Sequence, residues 1–141
     1  MAKKRSKSIV PDARHFYRVA VQRLEEAHFL FDHSTFTTAC VYLSGYAVEC
    51  ALKAVLSANT PSRRRIALFD LFRGSRGHSF DWLQQQLNRS SVMLRDSIRR
   101  LLLRLDWSTE LRYYTGRIAY EETDEFLDSV DVIVEWTKRS I

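Results

Sequence analysis

One stretch of this chain constrains the fold more than any other. Residues 39–56 read Ala-Cys-Val-Tyr-Leu-Ser-Gly-Tyr-Ala-Val-Glu-Cys-Ala-Leu-Lys-Ala-Val-Leu, apolar around most of the circumference of a helix running to about Ser57. A helix that is hydrophobic on nearly all sides belongs at the centre of a protein. Glu49 is its only acid, and a carboxylate buried without a partner costs several kcal/mol. It must therefore find a base. Lys53 lies at i+4, and an arginine from another segment can grip a carboxylate with two parallel hydrogen bonds; Arg112 is the expected partner. Gly45 weakens a helix by about 1 kcal/mol relative to alanine, so its use here points to close approach of a neighbouring helix.

The rest of the chain supplies the cover for that helix. Asp12 can cap a first helix in which Phe16, Val19, Ala20, Leu24, Ala27 and Phe31 recur at spacings of three and four. His33-Ser34-Thr35 breaks it, with Ser34 or Thr35 positioned to cap the central helix. Residues 59–78, holding Pro61, Arg63-Arg64-Arg65, Gly74 and Gly77, read as the longest irregular stretch. A short turn is expected around Leu68 to Phe72, and this is where a ligand-facing segment would sit. A third helix opens at His78 or Ser79, a fourth carries Leu94, Ile98, Leu101, Leu102 and Leu105, and Trp107 to Gly116 form a short aromatic helix or turn. The last helix runs from about Glu121 to about Arg139. No alternating strand pattern of useful length appears. The expected architecture is all-α: an antiparallel bundle of four to five helices over residues 11–141, preceded by a basic disordered tail over residues 1–10.

Charge is unevenly distributed. The formal total is +5, but Lys3, Lys4, Arg5 and Lys7 crowd the first eight residues. Residues 63–117 carry twelve arginines against five acids, and residues 118–141 two bases against seven acids. On the fourth helix Arg95 and Arg99, and Arg100 and Arg104, are like-charge i,i+4 pairs that call for acidic partners or phosphate. Asp124, Asp128, Asp131 and Glu135 form an acidic stripe on the last helix. Either the two faces neutralise each other, or Arg95, Arg99, Arg100, Arg104, Arg112 and Arg117 are left for RNA phosphates, which arginine contacts bidentately.

Other chemistries lack their residues. His15, His28, His33 and His78 form no zinc-ligand spacing with each other or with Cys40 and Cys50, so neither metal nor other cofactor is expected. GxGxxG, GxxxxGK[ST] and GxSxG are missing from the sequence. No apolar run approaches the roughly 20 residues of a membrane span and no export signal is evident, so a cytoplasmic protein that does not contact membrane is expected. The two cysteines read as small buried residues in a reducing compartment.

Four landmarks in order carry a family resemblance: the first amphipathic helix; Tyr42-Leu-Ser-Gly-Tyr-Ala-Val-Glu-Cys-Ala-Leu-Lys-Ala54; Gly77-His-Ser-Phe-Asp-Trp-Leu83; and Leu111-Arg112-Tyr113. Together they resemble the HEPN domain over roughly residues 12–140. The resemblance implies a helical bundle, frequently a homodimer, found beside nucleotidyltransferases in toxin–antitoxin pairs, in RNA-cleaving defence systems and in RNA- or nucleotide-binding modules. Catalytic members cut RNA without metal through an Arg-x4–6-His motif near a late helix. No histidine follows His78 here, so Arg112 has no such partner. Arg23 and His28 have the spacing but lie about 140° apart around one helix, and Arg73 and His78 have it in a glycine-containing loop. The expectation is a non-catalytic RNA- or nucleotide-binding and protein-interaction module. The alternatives are a metal-independent endoribonuclease using His78 with Arg73 or Arg112, and a structural companion of a nucleotidyltransferase.

Overall fold

The computed structural model describes residues 12–141 except 91 and 93, so the basic tail expected over residues 1–10 lies outside the described residues. Among those described, the chain is all-helical, with no strand. The helices are α1 (Ala13–His33), α2 (Thr37–Ala58), α3 (Arg65–Phe72), α4 (Phe80–Arg89), α5 (Asp96–Arg104) and α6 (Tyr120–Ser140). Short 3-10 turns at Ser62–Arg64, Ser75–His78 and Thr109–Tyr113 join them.

Local chemistry sets most of the boundaries. The Asp12 carboxylate accepts the His15 backbone N–H at 2.8 Å and starts α1. Ser34 does not cap α2 as its position suggests. Its backbone N–H and its hydroxyl both donate to the Leu30 carbonyl, so it closes α1, and α2 begins after Phe36 with no side-chain cap. The tight turn compensates by tying the start of α2 to the chain entering α6: the Thr37 hydroxyl donates to the Ile118 carbonyl and the Thr38 hydroxyl to that of Gly116. Ser79 caps α4 by accepting the Trp82 N–H at 3.2 Å.

Helix α2 lies at the centre. Ala47, Val48, Ala51, Leu52, Val55 and Leu56 pack with Leu83 and Leu87 of α4, Ile98 and Leu102 of α5, and Val130 and Ile133 of α6. Each large aliphatic side chain buried in this way contributes about 1.5–3 kcal/mol. Ala20 and Ala27 of α1 are fully buried, and their small size lets α1 lie close along α2. By length and mean hydropathy α2 does reach the range of a membrane span, contrary to the reading of the sequence, but 78% of its apolar window is buried inside the protein. Its apolarity answers to α1, α4 and α6, which pack on it.

Residues 59–78 are more ordered than their composition suggests. Arg65-Ile-Ala-Leu-Phe-Asp-Leu-Phe72 is a helix rather than a single turn, anchored by Leu68, Phe69 and Phe72 in the core. Phe16 of α1 meets Phe72 edge-on at 5.6 Å, and Phe72 meets Trp82 at 6.4 Å.

Cys40 and Cys50 are both buried thiols. Burial pushes each up to about 12 from an ordinary value of 9.0, assisted by Asp32 at Cys40 and by Glu49 at Cys50. A folded-state value above the unfolded one adds stability that is fully present below about pH 9 and is lost as the pH rises through 12. Ellman's reagent at pH 8 should therefore leave both thiols unmodified in the native protein and titrate both in denaturant. Rapid native labelling would contradict their burial.

Candidate functional site

Glu49 is 2% exposed at its side chain, halfway along the most buried helix, and its two carboxylate oxygens have separate partners. Lys53, one turn on and 8% exposed, donates from Nζ to Oε2 at 2.9 Å. His78 places Nδ1 2.9 Å from Oε1. An ionised carboxylate only accepts, so His78 carries its proton on Nδ1 and donates it inward. Arg112 is not the partner. It lies on the exposed 3-10 turn, donating from Nε to the Thr109 carbonyl at 3.0 Å with its guanidinium 5.7 Å from the Tyr113 ring.

The elements around this cluster explain its geometry. Lys53 Nζ sits 5.2 Å from the centre of the Phe72 ring, so its desolvated ammonium faces an aromatic surface as well as a carboxylate. Gly77 is buried where any Cβ would strike the Phe72 carbonyl. That close approach lays the Ser75–His78 turn on the end of α3 and points the next residue, His78, at Glu49. The imidazole remains 45% exposed, and with Nδ1 held against a buried carboxylate the exposed edge is the one carrying Nε2.

An oriented histidine is the first requirement of acid–base chemistry, but a phosphodiester also needs positive charge where the phosphorane forms. The hollow of about 680 Å³ beside His78 is lined instead by Asp81, Asp106 and Glu110, with Ser79 and Trp107. Arg73 and Arg112 do not line it. Arg73 is 81% exposed and reaches Asp70 at 3.8 Å. The other Arg-x4-His pair is also divided, Arg23 to Glu26 at 3.1 Å and His28 to Asp131 at 2.7 Å. No group of His, Cys, Asp and Glu suited to a metal ion occurs among the described residues.

The arginine surface is organised differently. Arg99, Arg100 and Arg104 of α5 and Arg95 at its N-cap are all exposed, while α5 buries Ile98 and Leu102. Among the described residues none of the four has an ion pair with α6; Arg99 comes to 3.9 Å of Asp96 on its own helix. Arg104 alone shares a hollow with the acidic side, beside Glu122, Glu125 and Asp128. Arg117 lies apart, donating to the Thr35 hydroxyl at 2.6 Å and covering the Phe36 ring at 5.8 Å. The six arginines thus form no single patch: three are open to solvent on α5 or at its N-cap, one turns toward acids, and two sit on the segment before α6.

Sequence reasoning missed two arginines that do share a hollow. Arg64 and Arg89, from the turn before α3 and the end of α4, line one groove together. The only sequence signal was that Arg64 falls in the stretch read as ligand-facing. Comparison with family models, curated proteins and solved structures finds no match to this chain.

Proposed function

We propose that this protein is a non-catalytic RNA-binding and protein-interaction module of HEPN type, an antiparallel helical bundle that works as a homodimer or beside a nucleotidyltransferase partner. The observation that carries the RNA reading is the state of the α5 arginines. Arg95, Arg99 and Arg100 face solvent with no acidic partner from α6 among the described residues, Arg99 reaching only Asp96 of its own helix at 3.9 Å, although an acidic stripe lies on the neighbouring α6. Exposed guanidinium groups left largely unneutralised along one short helix and its N-cap repel one another and attract a polyanion. The absence of arginine from the lining of the His78 hollow favours binding over cleavage.

The test is the affinity of the purified protein for a single-stranded RNA oligonucleotide, measured by fluorescence anisotropy over a range of salt in EDTA. Affinity should fall steeply with salt. In the Arg99→Ala, Arg100→Ala double variant the slope of log K against log salt should flatten by about 1.4, given roughly 0.7 per phosphate contact on a single strand. The RNA should be recovered at full length. Absent or salt-insensitive binding would leave a purely structural companion, and RNA decay abolished by His78→Ala would establish the nuclease.

A further inference from the structure

We infer that the groove between the end of α2, α3 and the end of α4 is a binding pocket for a nucleoside phosphate. The inference rests on the RNA-binding reading and names the group gripped, whether it belongs to a free nucleotide or to the end of an RNA chain. The hollows of the described surface differ in charge. Asp81, Asp106 and Glu110 line the one beside His78, Glu122, Glu125 and Asp128 the one beside Arg104, and Asp106 and Glu110 the one under Tyr113 and Tyr114. The groove at α3 encloses about 440 Å³ and has Arg64 and Arg89 in its lining with no acid.

The two arginines reach it from separate elements. Arg64 ends the 3-10 turn before α3, and Arg89 is the last residue of α4. Both are exposed, and neither has an ion-pair partner among the described residues. The turn carrying Arg64 is fixed: its backbone N–H donates to the Pro61 carbonyl at 2.8 Å, and the neighbouring Arg65 donates from Nε to the Thr60 carbonyl at 3.2 Å. Two guanidinium groups brought to one concave site without a carboxylate suit an anion with several oxygens, and phosphate matches their planar fork.

The remainder of the lining selects what the phosphate is attached to. Leu68 and Leu71 supply an apolar wall, and half of the Leu71 side chain is open to solvent. Asn59 donates from Nδ2 to the Val55 carbonyl at 2.8 Å, which leaves its Oδ1 as an acceptor. Gln86 has no side-chain hydrogen bond among the described residues and lines the same groove. An apolar wall, two amides and two guanidinium groups in a space within the roughly 300–1,000 Å³ of small-molecule sites fit a base, a sugar and a phosphate. A bare inorganic anion would leave the wall unused. Arg95, Arg99 and Arg100, by contrast, are exposed at the N-cap and near the start of α5 and can hold a backbone without distinguishing its parts.

The experiment is calorimetric titration of the full chain with adenosine 5′-monophosphate, adenosine and inorganic phosphate, beside anisotropy with 5′-phosphorylated and 5′-hydroxyl RNA of one sequence. The monophosphate should bind about tenfold or more tightly than either fragment, and Arg64→Ala or Arg89→Ala should each weaken it about tenfold, the scale of a charge-assisted hydrogen bond. Arg64→Lys should restore only part of the loss. Arg18→Ala, which removes equal charge elsewhere on the surface, should leave it unchanged. A preference for the 5′-phosphorylated RNA that vanishes in the same variants assigns the pocket to RNA ends, and monophosphate binding without that preference assigns it to free nucleotide. Salt-dependent RNA binding with no monophosphate binding, or with monophosphate affinity unaltered by both variants, would overturn the pocket and leave the RNA reading standing. Monophosphate binding that depends on Arg64 and Arg89 in a protein that ignores RNA would overturn the RNA reading alone.

Discussion

Replacing Glu49 with alanine should destabilise the protein by about 3 kcal/mol, a loss of roughly 10 °C in Tm for a domain of this size. The cause is what remains behind. Lys53 is buried, and without Glu49 its ammonium keeps only the Phe72 ring, while His78 loses the acceptor of its Nδ1–H. Glu49→Gln should cost less, because an amide oxygen still accepts one hydrogen bond although it no longer balances the charge. Adding Lys53→Met to Glu49→Gln should recover much of the loss, since the buried charge that lacked a counter-ion is then gone; a buried pair replaced by neutral groups of similar size is often close to neutral. Chemical denaturation of the three variants measures this. A Glu49→Ala protein as stable as the parent would mean that the Lys53–Glu49–His78 cluster contributes nothing to the fold.

Gly45→Ala should also destabilise, by about 2 kcal/mol, against the gain of about 1 kcal/mol that alanine brings to an open helical site. The added methyl would fall within the indole of Trp107. That ring is tethered where it lies, and moving it would break two contacts: its Nε1 donates to the Tyr42 carbonyl at 3.1 Å, and it stacks on Phe80 at 5.1 Å with an interplanar angle of 7°. The expectation of close approach at Gly45 is therefore met, although the neighbour is one indole from an irregular segment rather than a helix. A cut from Trp107 to a smaller side chain in the Gly45→Ala background should relieve the overlap, and the two changes should be strongly non-additive. A Gly45→Ala protein more stable than the parent would remove Trp107 from its place over α2.

These two sites show how far a sequence read in isolation reaches. Periodicity placed α1, α2, α4 and α6 because each buries a continuous stripe or, in α2, nearly its whole surface. It lost α3, whose eight residues make barely two turns and open on the last of three consecutive arginines that look like loop. The need of Glu49 for a partner was legible from its apolar neighbours, and Lys53 from its spacing of four. His78 was legible as a candidate but not as the partner of Glu49. The preference of carboxylates for bidentate arginine pointed to Arg112, and nothing local reveals that Gly77 presses its turn onto Phe72. The charge segregation was visible too. Whether the arginines of α5 meet the acids of α6 depends on the rotation of two helices about their axes, which pattern alone does not fix. The convergence of Arg64 and Arg89 depends on packing at the end of the bundle, and the sequence marks only the stretch that holds Arg64.

The most direct test of the proposed RNA binding is a nitrogen–proton NMR titration of the labelled protein with single-stranded RNA, following backbone amides and arginine Nε–H groups together. The proposal predicts that Arg95, Arg99 and Arg100 shift at the start of α5, that Arg64 and Arg89 shift in the groove at α3, and that Asp124, Asp128 and Glu135 on α6 do not. Shifts concentrated around His78, Asp81 and Asp106, or no shift on α5 at saturating RNA, would contradict it.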